Sequence, residues 1–239
     1  MSRRIFIVMG GKGGVGATTT AIKLVQRFPA PGERVIVDGD LSGKRSLAVW
    51  YDLAESLDLA RVIGTATIAP SKAGPLVMEL ARTYEDGLLH TSATVVRALT
   101  ALSNNALIVV DAPQPFAATI RPLVNAAAMM ILLVEPSPMG ISSARALLGA
   151  LDRFGIPPAR IARVRSDVEG KSPVTRADIE RELGMTVKAE LINDRDRRST
   201  GLFDGFMTML AAAPLRDDAA GASEKPMFDR RLESGKRFS

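Results

Sequence analysis

Short, unbroken apolar runs alternate along this chain with longer amphipathic stretches. The runs at residues 5–9, 34–37, 107–110 and 129–134 do not interleave polar positions. Strands of that kind have both faces covered, as in a parallel sheet between helices. Weaker strand candidates lie at 161–164 and 187–191. Helix-length amphipathic stretches occupy 18–28, 75–84, 92–102, 120–125, 142–154, 176–183 and 203–212. Ser142 and Thr175 are candidate caps, with Asp178 completing a capping pattern after Thr175, and Gly155 and Gly184 suit helix ends. The alternation predicts an α/β fold, a mostly parallel twisted sheet joined by right-handed crossovers and covered by helices on both faces. Residues 42–74 give little beyond one or two short helices around 46–53. One domain over 1–213 is expected, followed by a polar tail at 214–239 that reads as disordered.

The first apolar run leads into Gly11-Lys12-Gly13-Gly14-Val15-Gly16-Ala17-Thr18 and then a helical stretch. Strand, glycine loop and helix in that order make a phosphate cradle of the GxxxxGK[ST] type, with Ala17 where the loop lysine belongs. The glycines let backbone N–H groups turn inward as an anion nest, and the following helix adds its positive dipole end. Thr18 stands where a hydroxyl holds Mg²⁺, and Thr19 is the neighbouring phosphate contact. Two further strands end in carboxylates. Residues 35–37 run into Asp38-Gly39-Asp40, and residues 107–110 into Asp111-Ala112-Pro113. A carboxylate beside Mg²⁺ and phosphate completes the metal's surroundings or polarises water.

Composition narrows the setting. Net charge is +5 and there is no cysteine, so disulfides and thiolate metal sites are excluded; a single histidine, His90, speaks against structural zinc. The first apolar run is too short for a signal peptide, and residues 126–134 are too few to span a membrane. A soluble, cytoplasmic protein is expected.

The pattern Lys12-Gly13-Gly14-Val15-Gly16-x-Thr18-Thr19 resembles the deviant Walker A loop of MinD/ParA-type P-loop ATPases. The resemblance covers roughly residues 3–212 and implies the three-layer P-loop NTPase fold, ATP and Mg²⁺ as cofactors, and an ATP-dependent homodimer. It makes Lys12 the signature lysine, reaching the partner subunit's nucleotide. Asp40 becomes the residue that orients the attacking water, with Asp38 nearer the metal shell, and Asp111 the Walker B carboxylate. Gln114-Pro115-Phe116 departs from the glycine usual in the family's second switch segment. Ala17 is similar to the pilus-assembly branch (CpaE/TadZ), which implies a slow ATPase serving a cell-surface machine and recruited through partners to the membrane or a cell pole. Cellulose-secretion relatives of the BcsQ type share an altered loop, and a nucleotide-free scaffold is a further alternative.

Other charged features bear on DNA and membrane contact. Arg160, Arg163 and Arg165, with Arg195, Arg197 and Arg198, would suit DNA phosphates in a ParA-like partition protein. We read them instead as a solvated face partly neutralised by Asp167, Asp194 and Asp196, since no aromatic residues interleave. In the tail, Met227, Phe228 and Leu232 make a small apolar face interrupted by Asp229 and Glu233, too weak for a membrane anchor. Trp50 and Tyr51 are expected over a sheet edge or at a partner surface, and His90 in a turn. No NKxD guanine motif occurs, which favours adenine by default. Arg165-Ser166-Asp167 lacks the asparagine that contacts adenine in the family.

Overall fold

A computed structural model of the protein describes residues 4–30, 32–52, 57–58, 74–101, 107–113, 115–192 and 197–212. The strands are β1 (Arg4–Gly10), β2 (Arg34–Asp38), β3 (Leu57–Asp58), β4 (Leu76–Glu79), β5 (Leu107–Asp111), β6 (Met129–Val134), β7 (Ile161–Asp167) and β8 (Ala189–Ile192). The helices are α1 (Ala17–Arg27), α2 (Ser46–Trp50), α3 (Tyr84–Leu89), α4 (Ser92–Ala101), α5 (Arg121–Ala126), α6 (Pro138–Arg153), α7 (Arg176–Leu183) and α8 (Arg197–Ala211). The strands form one sheet in the order β3-β4-β2-β5-β1-β6-β7-β8, every neighbouring pair parallel.

The unbroken apolar runs are explained by two cores. On β1, Ile5, Ile7 and Met9 pack towards Val95 and Leu99 of α4, Leu123 of α5 and Ile141, Leu148 and Leu151 of α6. Phe6 and Val8 point the other way, into Leu24 and Val25 of α1 and Phe203, Phe206 and Leu210 of α8. Each such side chain contributes roughly 1.5–3 kcal/mol of burial, so both faces must be apolar for the three layers to hold. This is the expected α/β P-loop NTPase architecture. Among the described residues no helix is long and apolar enough to cross a membrane.

Several local expectations need correction. Residues 75–84 are not a helix: 76–79 form β4, between β2 and β3. The open edge of β2 needs a hydrogen-bonding partner, and that tertiary demand outweighs the helical spacing. Helix α6 starts at Pro138 under a Ser137 cap, whose Oγ accepts from the Gly140 N–H at 3.0 Å, so Ser142 lies inside the helix. Thr175 and Asp178 do form the capping box of α7, and Gly184 closes it in the left-handed region at φ 64°. The α8 helix begins at Arg197, before the expected residue 203.

The β7 arginines are not a solvated face. Arg163 and Arg165 are buried, Arg163 Nε donating to the Thr186 carbonyl at 2.9 Å and Arg165 Nη2 to the Val174 carbonyl at 3.0 Å and Asp167 Oδ2 at 3.1 Å. Arg160 Nη2 donates to the carbonyls of Val124 and Ala127, at 2.8 and 2.7 Å, closing the end of α5. Arg195 and the tail at 214–239 lie outside the described residues. Trp50 is exposed, Tyr51 packs against the α1 side of the sheet, and His90 ends α3.

Candidate functional site

In a parallel sheet all carboxyl ends of the strands lie on one side, and ligands gather where the strand order reverses. That point is β1, which pairs with β5 on one side and β6 on the other. Its end carries the glycine loop. The register sets Asp111 opposite both Val8 and Asp38, and Leu133 opposite Gly10. The loop, Asp38, Asp40 and Asp111 therefore meet at one crevice because of topology, although they span a hundred residues of sequence.

The loop turns into α1 through Gly16, whose φ of 88° is the left-handed conformation a side chain would strain. No side chain caps α1, and its first turn holds no acidic residue. The N–H groups there are left for an anion, aided by the helix dipole. Val15, 3% exposed, folds back into the α1-side core and anchors the loop. Ser166 Oγ, from the end of β7, donates to the Val15 carbonyl at 2.8 Å. Lys12, Gly13 and Gly14 form the loop's exposed outer part.

Below the loop, Thr18 Oγ1 donates to Asp111 Oδ2 at 2.6 Å. Asp38 is buried, its Oδ1 accepting from the Asp40 N–H and Oδ2 from the Leu47 N–H, each at 3.1 Å. It thus fixes the backbone on both sides of the turn that carries Asp40. Asp40 Oδ1 in turn accepts from the Ser42 N–H at 2.8 Å. Burial, opposed by the Thr18 hydrogen bond and reinforced by Asp38 and Asp40, raises the Asp111 pKa to about 6. Burial likewise raises that of Asp38. Among the described residues no cation pairs with either group, and no cluster of three or more metal-ligating side chains forms a cage. A hydroxyl and a carboxylate in contact beside an anion cradle fit Mg²⁺, which takes one or two protein oxygens and completes its shell with phosphate and water.

The raised Asp111 pKa has a stability consequence. Between the ordinary value near 3.8 and about 6, the folded chain holds a proton that the unfolded chain has lost. Without Mg²⁺, stability therefore falls as pH rises through that window and then levels off, by a few kcal/mol at most at about 1.4 kcal/mol per pKa unit. Asp111→Asn is expected to remove the Asp111 share of the fall and to leave the share due to Asp38. In chemical denaturation without magnesium the variant should exceed the parent in stability at pH 7 and converge with it near pH 4. A constant difference across that range would contradict the assignment.

The other expected site residues are placed as follows. Ala17 is the first residue of α1, and Thr19 lines a small cavity of about 140 Å³ with Gly16, Lys23, Ser166, Leu191 and Phe203. A larger one of about 450 Å³ opens on the other side of the loop, lined by Lys12, Gly13, Gly14, Val15, Glu135 and Lys171. Lys12 Nζ lies 2.5 Å from Glu135 Oε2, so within one chain the loop's lysine is already paired. Asp167 is committed internally, its oxygens accepting from Arg165 Nη2 and the N–H groups of Gly170 and Ser172. Sequence reasoning missed Ser166 as a loop anchor and Glu135 altogether. A lone carboxylate after the β6 run was the only signal for the latter.

No protein-family model matches the chain. It is 28% identical over 207 residues to the "Maintenance of carboxysome distribution protein A" of Gloeobacter kilaueensis, covering 85% of this chain and 76% of that one. Its fold matches the crystal structure of a ParA family ATPase from Chlorobium tepidum with a TM-score of 0.65, at 18% identity and over 88% and 92% of the two chains. It also matches the septum site-determining protein MinD of Pyrococcus horikoshii, complexed with Mg-ADP, with a TM-score of 0.64 at 17% identity, over 95% and 100% of the chains.

Proposed function

We propose that this chain is an ATP-binding switch of the MinD/ParA type, which dimerises face to face around two nucleotides, hydrolyses them slowly and helps to place another cell structure. The observation that carries the proposal is the Thr18–Asp111 contact beneath an uncapped helix N-terminus at the sheet's switch point. The relatives' names point the same way: one concerns carboxysome distribution, another the choice of a septum site.

In this reading the N–H groups of residues 13–18 hold the phosphates, and Thr18 and Asp111 hold Mg²⁺. The ion supplies charge neutralisation between the phosphate oxygens. Lys12 is the loop's sole charged residue and supplies its cation across the dimer interface. Asp40 orients the attacking water, held in place through the backbone contacts of Asp38. Ala17 offers no charge to the transition state, so binding outlasts chemistry. The altered loop favours a pilus-type surface machine as the structure served. DNA binding is not favoured, because the β7 arginines are spent on backbone carbonyls.

Equilibrium dialysis tests the binding step. Saturable retention of one ATP per chain is expected with Mg²⁺, and strongly weakened retention for Asp111→Asn. No saturable binding would leave a nucleotide-free scaffold in place of the switch.

A further inference from the structure

We infer that Glu135 is an intrachain competitor for Lys12: the resting chain keeps its one loop cation neutralised, and Lys12 is released to a nucleotide across the dimer interface only when that pair opens. The inference rests on the nucleotide reading of the loop and adds its regulation.

The pairing follows from strand register. Gly10 of β1 lies opposite Leu133 of β6, and both chains continue for two residues, to Lys12 and to Glu135. The two side chains meet at 2.5 Å on the wall of the larger cavity, which also exposes Gly13 and Gly14. The two partners are held very differently. Glu135 stands on a fixed platform, since its carbonyl accepts from the Ser137 N–H at 2.8 Å. The first turn of α6 presses on it so closely that a Cβ on Gly140 would sit 2.4 Å from that carbonyl oxygen. Pro136 and Pro138 restrict the chain on either side of Ser137. Lys12 lies between Gly11, where a Cβ would meet Ser143 of α6 at 2.9 Å, and Gly13, where a Cβ would meet nothing within 4 Å, so its freedom lies on the Gly13 side. When the pair opens, Lys12 is therefore the member that moves.

The electrostatic consequence is larger than the pair's own stability. Both side chains are about one-third exposed, 38% and 31%, yet Glu135 Oε2 itself is buried and accepts no hydrogen bond, so Lys12 is the charge that compensates it and the pair opens only against that cost. An incoming polyphosphate, however, meets a carboxylate on the cavity wall and a lysine already occupied. Ala17 leaves no second loop lysine to offset this. Glu135 thus sets a threshold: a ligand must carry enough negative charge to draw Lys12 away, which favours triphosphate over monophosphate.

The test uses the full chain and compares the parent with Glu135→Gln, Lys12→Ala and the double variant. A fluorescent ATP analogue with Mg²⁺ is the binding probe, and acetylation of the Lys12 amine without nucleotide, read by mass spectrometry, is the pairing probe. Glu135→Gln is expected to bind the analogue about tenfold more tightly and to label several-fold faster at Lys12. The affinity gain should shrink in high salt and in the Lys12→Ala background. Unchanged affinity with unchanged labelling overturns the inference while leaving nucleotide binding standing. Faster labelling with no analogue bound by parent or variant overturns the nucleotide reading, and the threshold falls with it. Equal gains with and without Lys12 overturn the competition and reduce Glu135 to simple repulsion.

Discussion

Ala17→Lys is expected to raise steady-state ATP turnover by two to three orders of magnitude. Residue 17 opens α1 directly after the left-handed Gly16, at the position from which a loop lysine reaches the phosphate oxygens. In the natural chain that place holds a methyl group, and no other charge lies between residues 10 and 20 except Lys12. A positioned charge that acts on the transition state is worth roughly 3–4 kcal/mol, and 1.4 kcal/mol is about tenfold in rate. The remaining parts, Thr18 on Asp111 and Asp40 in the turn after β2, are assembled without it. Phosphate release at saturating ATP measures the effect. Unchanged turnover in the variant would show that Ala17 does not limit the reaction, and an ordinary P-loop rate in the natural chain would remove the slow switch.

Lys12→Ala is expected to lower ATP affinity by about a hundredfold and to abolish the ATP-dependent dimer. The substitution has two effects of the same sign. It deletes the loop's only cation, and it leaves Glu135 unpaired on the cavity wall where phosphate must enter. Truncating one member of a charged recognition pair commonly costs about 2–5 kcal/mol, much of it from the partner left behind. Folding stability should change less than binding, because the Lys12 side chain is partly solvated, although the buried Glu135 Oε2 loses the charge that compensates it. Equilibrium dialysis and thermal unfolding on the same preparation separate the two. A loss of binding that tracks a loss of folding would contradict the assignment of Lys12 to the ligand.

Much of the fold was legible in the chain because two-sided burial leaves unbroken apolar runs, and β1, β2, β5 and β6 all carry one. The Thr18–Asp111 contact was legible for a related reason. Both residues end or follow such runs, and parallel strands bring their ends together. What could not be read depends on distant partners. Residues 76–79 have helical spacing yet complete the edge of β2. The alternating arginines of β7 look like a surface stripe, yet the crossover into β8 brings the Thr186 and Val174 carbonyls over them. Glu135 carries no motif at all, and only the Gly10–Leu133 register sets it beside Lys12. Asp38 changed most in meaning. Its carboxylate spans the turn from Asp40 to Leu47, so it positions the Asp40 segment as well as adding charge beneath the loop.

In the proposed switch, nucleotide and a second copy of the chain bind together around the glycine loop. Sedimentation of the full chain with Mg²⁺ and a non-hydrolysable ATP analogue tests it most directly. A monomer is expected with ADP or no nucleotide, a dimer with the analogue, and no dimer for Lys12→Ala. A sedimenting mass that is the same in all three nucleotide conditions would contradict it.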